Sequence, residues 1–357
     1  MSTPPLRSLL SPGTPAGRVL LGTMTRTLWW TLTVLALPAG LLNIAAYFTT
    51  RPVFLAQLSP FRVQAGALLL AHLVFCLVLR RRRWAALFAV LALFNLYAVL
   101  RPAIPEPISA YNSAHPPLKI LFANVLTSHP DPARLLALIA VEKPDLVALV
   151  EVNRRWQSQL TPALARDYPH STFHPREDNF GVAVFARDAV TNPRLAAFAD
   201  PEIPSLDLTL RHGARDFRIL VTHTLPPGNA EGTKLRDLQL VALAGWFADT
   251  TTPVLAMSGT AATLVEPPLA LAVGDLNATP WCPPLRRLLD DARLHLAARG
   301  HAACAASWPV AVPFLRIPLD HALLNAALVC TAYRVGPDIG SDHFPILLEV
   351  QPAASFQ

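Results

Sequence analysis

Two short strings in this sequence combine side chains that can hold a divalent cation and attack a phosphate ester. One runs from Gly340 to His343 and reads Gly-Ser-Asp-His; the other runs from Gly274 to Asn277 and reads Gly-Asp-Leu-Asn. Carboxylate oxygens bind hard cations, a carboxylate or an imidazole takes a proton from water, and an amide donates to a phosphate oxygen. An isolated Gly-Asp-Leu-Asn is also typical of an Asx turn. The interpretation therefore depends on the residues that accompany the two strings.

The chain after Pro117 alternates apolar strands with helices, and polar residues recur where the strands end. Strands are predicted over 118–125, 145–152, 180–187, 206–210, 217–222, 269–273, 319–324 and 344–350. Helices are predicted over 132–142, with Asp131 as the N-cap, and over 233–247 and 285–296. The Thr- and Ala-rich stretch 250–263 predicts a loop or an insertion. Strand ends that meet at one edge of a sheet commonly build a site.

Six polar pieces follow one another in a fixed order along this part of the chain. They are Asn124, Glu151, His223, Asp275 with Asn277, Asp320, and Ser341-Asp342-His343. This ordered set resembles the endonuclease/exonuclease/phosphatase superfamily over about residues 118–350, and most of all its bacterial members with an N-terminal membrane segment. The resemblance implies an α/β (α+β) fold: a four-layer sandwich of two mixed β-sheets flanked by helices. It also implies a hydrolase that cleaves phosphate esters with Mg²⁺ or Mn²⁺.

The resemblance also implies a role for each piece. The metal ligands would be Glu151, Asn124 and Asp342. Asp275 would position or deprotonate the attacking water, and Asn277 would donate to the phosphate oxygens. The remaining catalytic residues would be His343, Asp320 and His223: Asp320 fixes the tautomer of His343, and His223 is a second donor to the phosphate. His321 is expected to point to the other face of its strand, because side chains alternate along a strand.

Five features depart from the family pattern or leave two interpretations open. Many members have Gln-Glu where this chain has Val150-Glu151, and Arg-Asn where it has Arg236-Asp237. The stretch 250–268 is longer than the family norm. Arg187 is either a phosphate contact or a surface residue. Cys282, Cys304 and Cys330 could include one disulfide if the domain lies in an oxidising compartment.

The composition predicts a membrane portion ahead of this domain. Hydrophobic residues make up 52% of the 357 residues and charged residues only 15%. Three apolar runs, at about 27–48, 63–79 and 84–100, are long enough to span a bilayer. We therefore predict a membrane anchor over 1–100, a Pro-rich linker over 101–117 and a catalytic domain over 118–357.

The charges predict how the anchor is oriented. Residues 1–101 hold ten Arg and no acidic residue, and four of these Arg form the run 80–83 between the second and third apolar runs. The positive-inside rule places the N-terminus and this run in the cytoplasm, so that three crossings leave the catalytic domain outside. We expect a bacterial inner-membrane protein with its catalytic domain in the periplasm, bound to the bilayer by its N-terminal helices.

The same charges bear on the substrate. Beyond residue 101 the chain holds 20 basic and 24 acidic residues, a formal charge of −4, which disfavours tight binding of duplex nucleic acid. The favoured interpretation is a phosphoesterase that acts on a phosphodiester, lipid or small, by activated water. Two alternatives stay open: a nuclease that cleaves DNA or RNA with the same site, and an inactive binding module on the same fold.

Overall fold

The computed structural model describes residues 14–103, 116–129, 131–251, 255–258, 261–264, 268–298, 300 and 304–354. The chain divides into two compact units. One comprises residues 1–45 and 61–98, and the other comprises residues 46–60 and 99–357. The segment 46–60, which the sequence analysis assigned to the anchor, thus packs with the second unit. Most of the predicted linker, 104–115, lies outside the described residues.

Apolar helices long enough to cross a membrane account for the N-terminal third. They are α1 (Pro15–Phe48), α3 (Arg62–Val78) and α4 (Arg82–Leu100), with the short helix α2 (Val53–Leu58) between the first two. Three stretches have the length and hydropathy of a span: Arg18–Phe48, Val53–Val78 and Arg82–Leu100. The prediction of three membrane-length helices is confirmed.

Buried polar side chains inside the first unit contact other polar groups. Thr33 Oγ1 lies 2.9 Å from His72 Nε2, and Arg62 Nη2 donates to the backbone carbonyl of Asn43 at 2.7 Å. Such pairing is expected, because an unsatisfied polar group is costly in an apolar environment.

The second unit is built on two six-stranded mixed sheets. The first sheet contains β1 (Leu118–Asn124), β2 (Leu146–Val150), β3 (His170–His174), β4 (Val182–Ala186), β13 (Leu328–Val335) and β14 (Ile346–Pro352). Their spatial order is β13-β14-β1-β2-β4-β3. The second sheet contains β5 (Val190–Ala197), β6 (Pro204–His212), β7 (Arg215–His223), β10 (Leu269–Asp275), β11 (His295–Leu296) and β12 (Asp320–Leu324). Their order is β11-β12-β10-β7-β6-β5.

The central strands are buried on both faces, which gives four layers. In β1, Ile120 and Phe122 join the core between the sheets, whereas Leu121 and Ala123 join a second core under helices. Those helices are α5 (Ala133–Glu142) and α6 (Arg154–Leu164). The helices α7 (Ala230–Thr251) and α8 (Pro283–Asp291) cover the outer face of the second sheet in the same way. The predicted four-layer sandwich is confirmed, and its pattern follows from the period of two along a strand.

Several elements differ from the sequence predictions. The 285–296 helix ends at Asp291, and Arg293, with φ 51°, turns the chain so that His295–Leu296 pairs with β12. The N-cap of α5 is Pro132 rather than Asp131, although Asp131 Oδ1 accepts the Ala133 N–H at 2.8 Å. The stretch predicted as a loop contains a hairpin of β8 (Leu255–Ser258) and β9 (Ala261–Leu264).

Three further strands, β3, β5 and β13, have no counterpart in the prediction. Each lies at the edge of its sheet, and most residues of β3 and β5 are at least partly exposed. β3 and β5 are rich in polar side chains, and so they lack the apolar run on which the sequence prediction relied.

Candidate active site

The second sheet brings three of the predicted site residues side by side. Asp275 at the end of β10 pairs in register with His223 at the end of β7 and with Asp320 at the start of β12. Paired residues on neighbouring strands direct their side chains to the same face. The three side chains therefore lie in one row across three adjacent strands. The sheet brings them together although they are far apart in sequence.

His343 reaches this row from the first sheet, just before β14. Its Nδ1 lies 2.8 Å from Asp320 Oδ2, and its Nε2 lies 3.6 Å from Asp275 Oδ2. His223 Nε2 also lies 3.6 Å from Asp275 Oδ2. One carboxylate oxygen thus faces two imidazoles, and all four side chains are buried. The result is a single cluster made from both sheets.

Burial and neighbouring charges act in opposite directions on this cluster. Burial by itself lowers the pKa of His343, but the carboxylates of Asp320 and Asp275 outweigh it and raise the pKa to about 10. Burial raises the pKa of Asp275; His343 opposes this shift and Asp320 adds to it. The imidazole of His343 therefore keeps its proton more tightly than a free histidine does.

Asn277 and His223 form a second contact at the same place. His223 Nδ1 donates to the Asn179 carbonyl at 3.0 Å, and its Nε2 lies 3.3 Å from Asn277 Nδ2. Asn277 Nδ2 also donates to the Thr224 carbonyl, and its backbone N–H donates to Asp275 Oδ1 at 3.0 Å. The amide of Asn277 is thus fixed beside both His223 and Asp275.

The first sheet contributes Asn124 and Glu151. Asn124 Nδ2 donates to Glu151 Oε1 at 2.8 Å and lies 3.3 Å from Asp275 Oδ2. The Asn124 Oδ1 accepts the Leu126 N–H, so the side chain turns its nitrogen toward Glu151 here. The amide of Asn124 thus bridges the carboxylates of Glu151 and Asp275.

Two of these residues have a strained backbone. Glu151 has φ 62° and Asn277 has φ 44°, in the left-handed region that side-chain-bearing residues seldom adopt. Such strain persists only where the surrounding structure imposes it, and it is concentrated at functional sites. Both positions belong to the polar set that the sequence motifs indicated, and seven other described non-glycine residues share the conformation.

Asp342 lies on the same segment as His343 but makes different contacts. Its Oδ2 accepts the Trp308 Nε1–H at 3.0 Å, whereas Ser341 Oγ donates to the Asn124 carbonyl at 2.8 Å. Ser341 thereby ties this segment to the end of β1. The Asp342 carboxylate therefore bonds Trp308 and Ser341, whereas His343 Nδ1 bonds Asp320.

An oxygen-donor site fits a hard cation better than the histidine cluster does. Asp275, Asp320 and His343 have ligand atoms within 4.8 Å of one another, but His343 Nδ1 already bonds Asp320. Glu151 is buried, and in the described part of the chain its carboxylate contacts only neutral donors, Asn124 Nδ2 and the Thr127 N–H. A buried carboxylate without a positive partner suits Mg²⁺ or Mn²⁺.

Arg187 and His321, which the sequence analysis also considered, lie away from the cluster. Arg187 follows β4 at the end opposite Glu151, where it donates to the Pro144 carbonyl and stacks on Tyr168. It is therefore not a phosphate contact. His321 Nε2 donates to the Ala278 carbonyl at 2.8 Å, on the opposite face of β12 from Asp320.

Four residues support the site, and two of them, Ser307 and Trp308, were not found by sequence reasoning. Ser307 Oγ accepts the N–H groups of Leu319 and Asp320, and Arg236 donates to the Asn277 carbonyl at 2.9 Å. Trp308 and Ser341 hold Asp342 and β1 as described above. Ser341 belongs to the Gly340–His343 string and Arg236 to the Arg236-Asp237 pair, whereas Ser307 and Trp308 carried no signal. No disulfide joins Cys76, Cys282, Cys304 or Cys330 in the described part of the chain.

Solved structures of other proteins share this fold. An endonuclease/exonuclease/phosphatase protein from Beutenbergia cavernae is 18% identical, with a TM-score of 0.52 over 67% of this chain and 72% of that one. The human Nocturnin catalytic domain is 18% identical, with a TM-score of 0.51 over 68% and 97%. The 3′ phosphatase NExo from Neisseria, bound to a product DNA hairpin, is 17% identical, with a TM-score of 0.53 over 65% and 98%.

Identities this low establish the fold alone, and a comparison with curated proteins gave no match. The family itself is shown by the sequence. Residues 121–343 match the model of the endonuclease/exonuclease/phosphatase family, a stretch that covers more than half of the chain and contains every residue of the cluster. The chain therefore belongs to the endonuclease/exonuclease/phosphatase family of phosphoesterases.

Proposed function

We propose that this protein is a membrane-anchored, divalent-metal-dependent phosphoesterase that hydrolyses a phosphodiester with an activated water. The observation that carries the proposal is the position of Asp275 Oδ2. This one oxygen lies 3.6 Å from an imidazole nitrogen of both His223 and His343 and 3.3 Å from Asn124 Nδ2. It is a carboxylate oxygen close to two imidazoles and one amide, as activation of water beside a phosphate requires.

Each residue has a chemical task in this proposal. Asp275 orients the attacking water and takes its proton. His343, held by Asp320, and His223, held by the Asn179 carbonyl, direct Nε2 toward the reacting phosphate. Asn277 donates to a non-bridging phosphate oxygen. Because these groups are fixed before the reaction, they stabilise developing charge without reorganising.

The metal ligands in this proposal are Glu151, Asn124 and Asp342. A bound Mg²⁺ or Mn²⁺ would supply positive charge to the phosphate oxygens and to the leaving group. To act as a ligand, Asn124 must turn Oδ1 toward Glu151, where the structure has Nδ2. The chain itself contributes the buried carboxylate of Glu151 and the Trp308 contact that orients Asp342.

We place the protein in a bacterial inner membrane with its catalytic domain in the periplasm. The support is the set of three apolar helices and the run of four Arg between α3 and α4. A C-terminal fusion to alkaline phosphatase, which is active only outside the cytoplasm, should be active. An equivalent fusion to green fluorescent protein exported by the same route should be dark.

The proposed substrate is a lipid or small phosphodiester rather than duplex nucleic acid. The residues after Arg101 carry a formal charge of −4, and binding to duplex DNA usually relies on a basic surface. The predicted anchor also favours a substrate at the bilayer. The nuclease alternative makes a different prediction, namely DNA binding that weakens steeply as salt is raised.

A substrate panel with the full-length protein in detergent tests the proposal. The panel contains DNA, RNA, phospholipids, inositol phosphates and bis(p-nitrophenyl) phosphate, each with Mg²⁺, Mn²⁺ or EDTA. We expect metal-dependent hydrolysis that His343→Ala lowers by orders of magnitude without a change in thermal unfolding. Hydrolysis of nucleic acid alone would favour the nuclease. Absence of all hydrolysis, together with failure to bind Mn²⁺ by calorimetry, would favour a binding module.

A further inference from the structure

Residues 46–60 comprise the last turn of α1, the short helix α2 and the chain that leads to α3. They are part of the compact unit that contains the cluster. We call them the connecting segment. It is covalently continuous with an apolar, membrane-length helix on each side. A connection between two such helices needs only a few residues and no specific partner. Its position within the catalytic unit therefore requires an explanation.

Three contacts fix the connecting segment to the catalytic unit. At its start, the Arg286 guanidinium lies 3.6 Å from the centre of the Tyr47 ring and donates to the Tyr47 carbonyl. In its middle, Gln57 Nε2 donates to the Gly228 carbonyl at 3.0 Å. At its end, Trp281 Nε1 donates to the Ser59 carbonyl at 2.7 Å. Trp281 is completely buried, so the segment covers an apolar part of the domain.

A fourth contact leads from the segment to the cluster. Thr50 Oγ1 donates to Asp237 Oδ2 at 2.6 Å. The other oxygen, Asp237 Oδ1, accepts from Arg236 Nε at 2.9 Å and from Nη2 at 2.7 Å. Arg236 Nη1 then donates to the Asn277 carbonyl at 2.9 Å. Thr50 and Asn277 are therefore joined by three consecutive hydrogen-bonded steps.

The chain of contacts ends at a position whose backbone is strained. Asn277 has φ 44°. Its backbone carbonyl accepts from the guanidinium of Arg236, a residue that is 1% exposed. A strained residue keeps its conformation only while its surroundings hold it. A planar guanidinium fixed at Asp237 by two donors can hold that carbonyl in one place. The hydroxyl of Thr50 in turn holds the second oxygen of Asp237.

We propose that Thr50 is a positioning residue, which acts through Asp237 and Arg236 to hold Asn277 in the orientation used by the proposed phosphoesterase site. The membrane connection thus becomes a component of the catalytic centre. Many members of the family have Asn at this position, whereas the Asp237 carboxylate offers one oxygen to Arg236 and the other to Thr50. This inference rests on the proposed function for its kinetic consequence, but its structural content can be tested separately.

The test compares Thr50→Val with Thr50→Ser in the full-length protein in detergent. Valine keeps the shape but removes the hydroxyl, whereas serine retains it. The matched control is Thr49→Val, whose hydroxyl contacts only the neighbouring Arg51 backbone in the described chain. We expect Thr50→Val to lower kcat roughly 2- to 30-fold with little change in KM, and we expect Thr50→Ser and Thr49→Val to resemble the wild type.

A double-mutant cycle separates positioning from general support of the fold. If Thr50 acts through Asn277, Thr50→Val should have no further effect on kcat in an Asn277→Ala background. Equal loss in both backgrounds would overturn the proposal, and so would a kcat of Thr50→Val within 1.5-fold of the wild type.

Hydrogen exchange gives a readout that needs no activity. The Asn277 N–H bonds Asp275 Oδ1, so release of this turn should speed exchange in peptides that cover 274–282. We expect faster exchange in Thr50→Val and wild-type exchange in Thr50→Ser. If the wild type hydrolyses nothing, the proposed function fails, and exchange alone decides the inference. Unchanged exchange in Thr50→Val would then refute it.

Discussion

Replacement of Asp320 by Asn removes one negative charge from the cluster while keeping the size of the side chain. Asp320 is 1% exposed, and its Oδ2 lies 2.8 Å from His343 Nδ1. The bond is charge-assisted, and such bonds contribute about 1.5–3 kcal/mol against about 0.5–1.5 kcal/mol for a neutral one. The difference of about 1–1.5 kcal/mol corresponds to roughly a tenfold loss of rate. If the new amide turns its nitrogen to His343, the tautomer is reversed and the loss is greater.

The same substitution should leave stability nearly unchanged. Within the described residues, Asp320 Oδ1 is buried without a hydrogen-bond partner, so the folded state already includes the cost of a poorly satisfied carboxylate. An amide is cheaper to bury than a charge, although its donor also lacks a partner there. These terms oppose each other, and we expect a change within about 1 kcal/mol, or a Tm shift of about 2–4 °C at most.

The assay is hydrolysis of bis(p-nitrophenyl) phosphate by the full-length protein, with thermal unfolding measured on the same samples. The matched control is Asp216→Asn, which changes an exposed carboxylate at the end of β7 opposite His223. The reasoning is refuted if Asp320→Asn keeps its kcat within twofold of the wild type. A large fall in Tm would also refute it, because Asp320 would then be structural rather than orienting His343.

Two other predictions follow from the same geometry. Glu151→Gln should raise the Mg²⁺ concentration needed for half-maximal activity by about tenfold or more. Metal titration of activity and Mn²⁺ calorimetry measure this change. The control Glu177→Gln, at an exposed position, should leave that concentration unchanged. Gly274→Ala should destabilise the fold by about 1–3 kcal/mol in thermal unfolding, because its Cβ would lie 2.0 Å from the Thr222 carbonyl oxygen. The control Gly245→Ala, whose added Cβ meets open space on α7, should be neutral or stabilising. Equal Tm values for Gly274→Ala and Gly245→Ala would contradict the argument.

The sequence was sufficient for the central strands because their signal is local. Runs such as 118–125 and 269–273 are apolar on both faces, since each strand is covered by the other sheet and by helices. The ordered polar residues at their ends then identified the family. The structure adds the register that places His223, Asp275 and Asp320 in one row.

Contacts between distant parts of the chain could not be found in this way. Trp308 reaches Asp342 from an irregular stretch, and Ser307 supports Asp320 through its hydroxyl. Neither residue stands in a pattern of apolar residues or in a motif. The connecting segment is a clearer case, because its composition resembles that of any short connection between apolar helices. Its partners, Asp237 and Trp281, lie more than 180 residues away.

The most direct test of the account is the initial rate of phosphodiester hydrolysis by the full-length protein as Mg²⁺ is titrated, for the wild type and for Asp275→Asn. Asp275 Oδ2 is the carboxylate oxygen that His223, His343 and Asn124 all face. We predict a rate that rises with Mg²⁺ in the wild type and falls about 100-fold or more in Asp275→Asn, with both proteins equally folded. Equal rates for the two proteins at saturating Mg²⁺ would contradict the account.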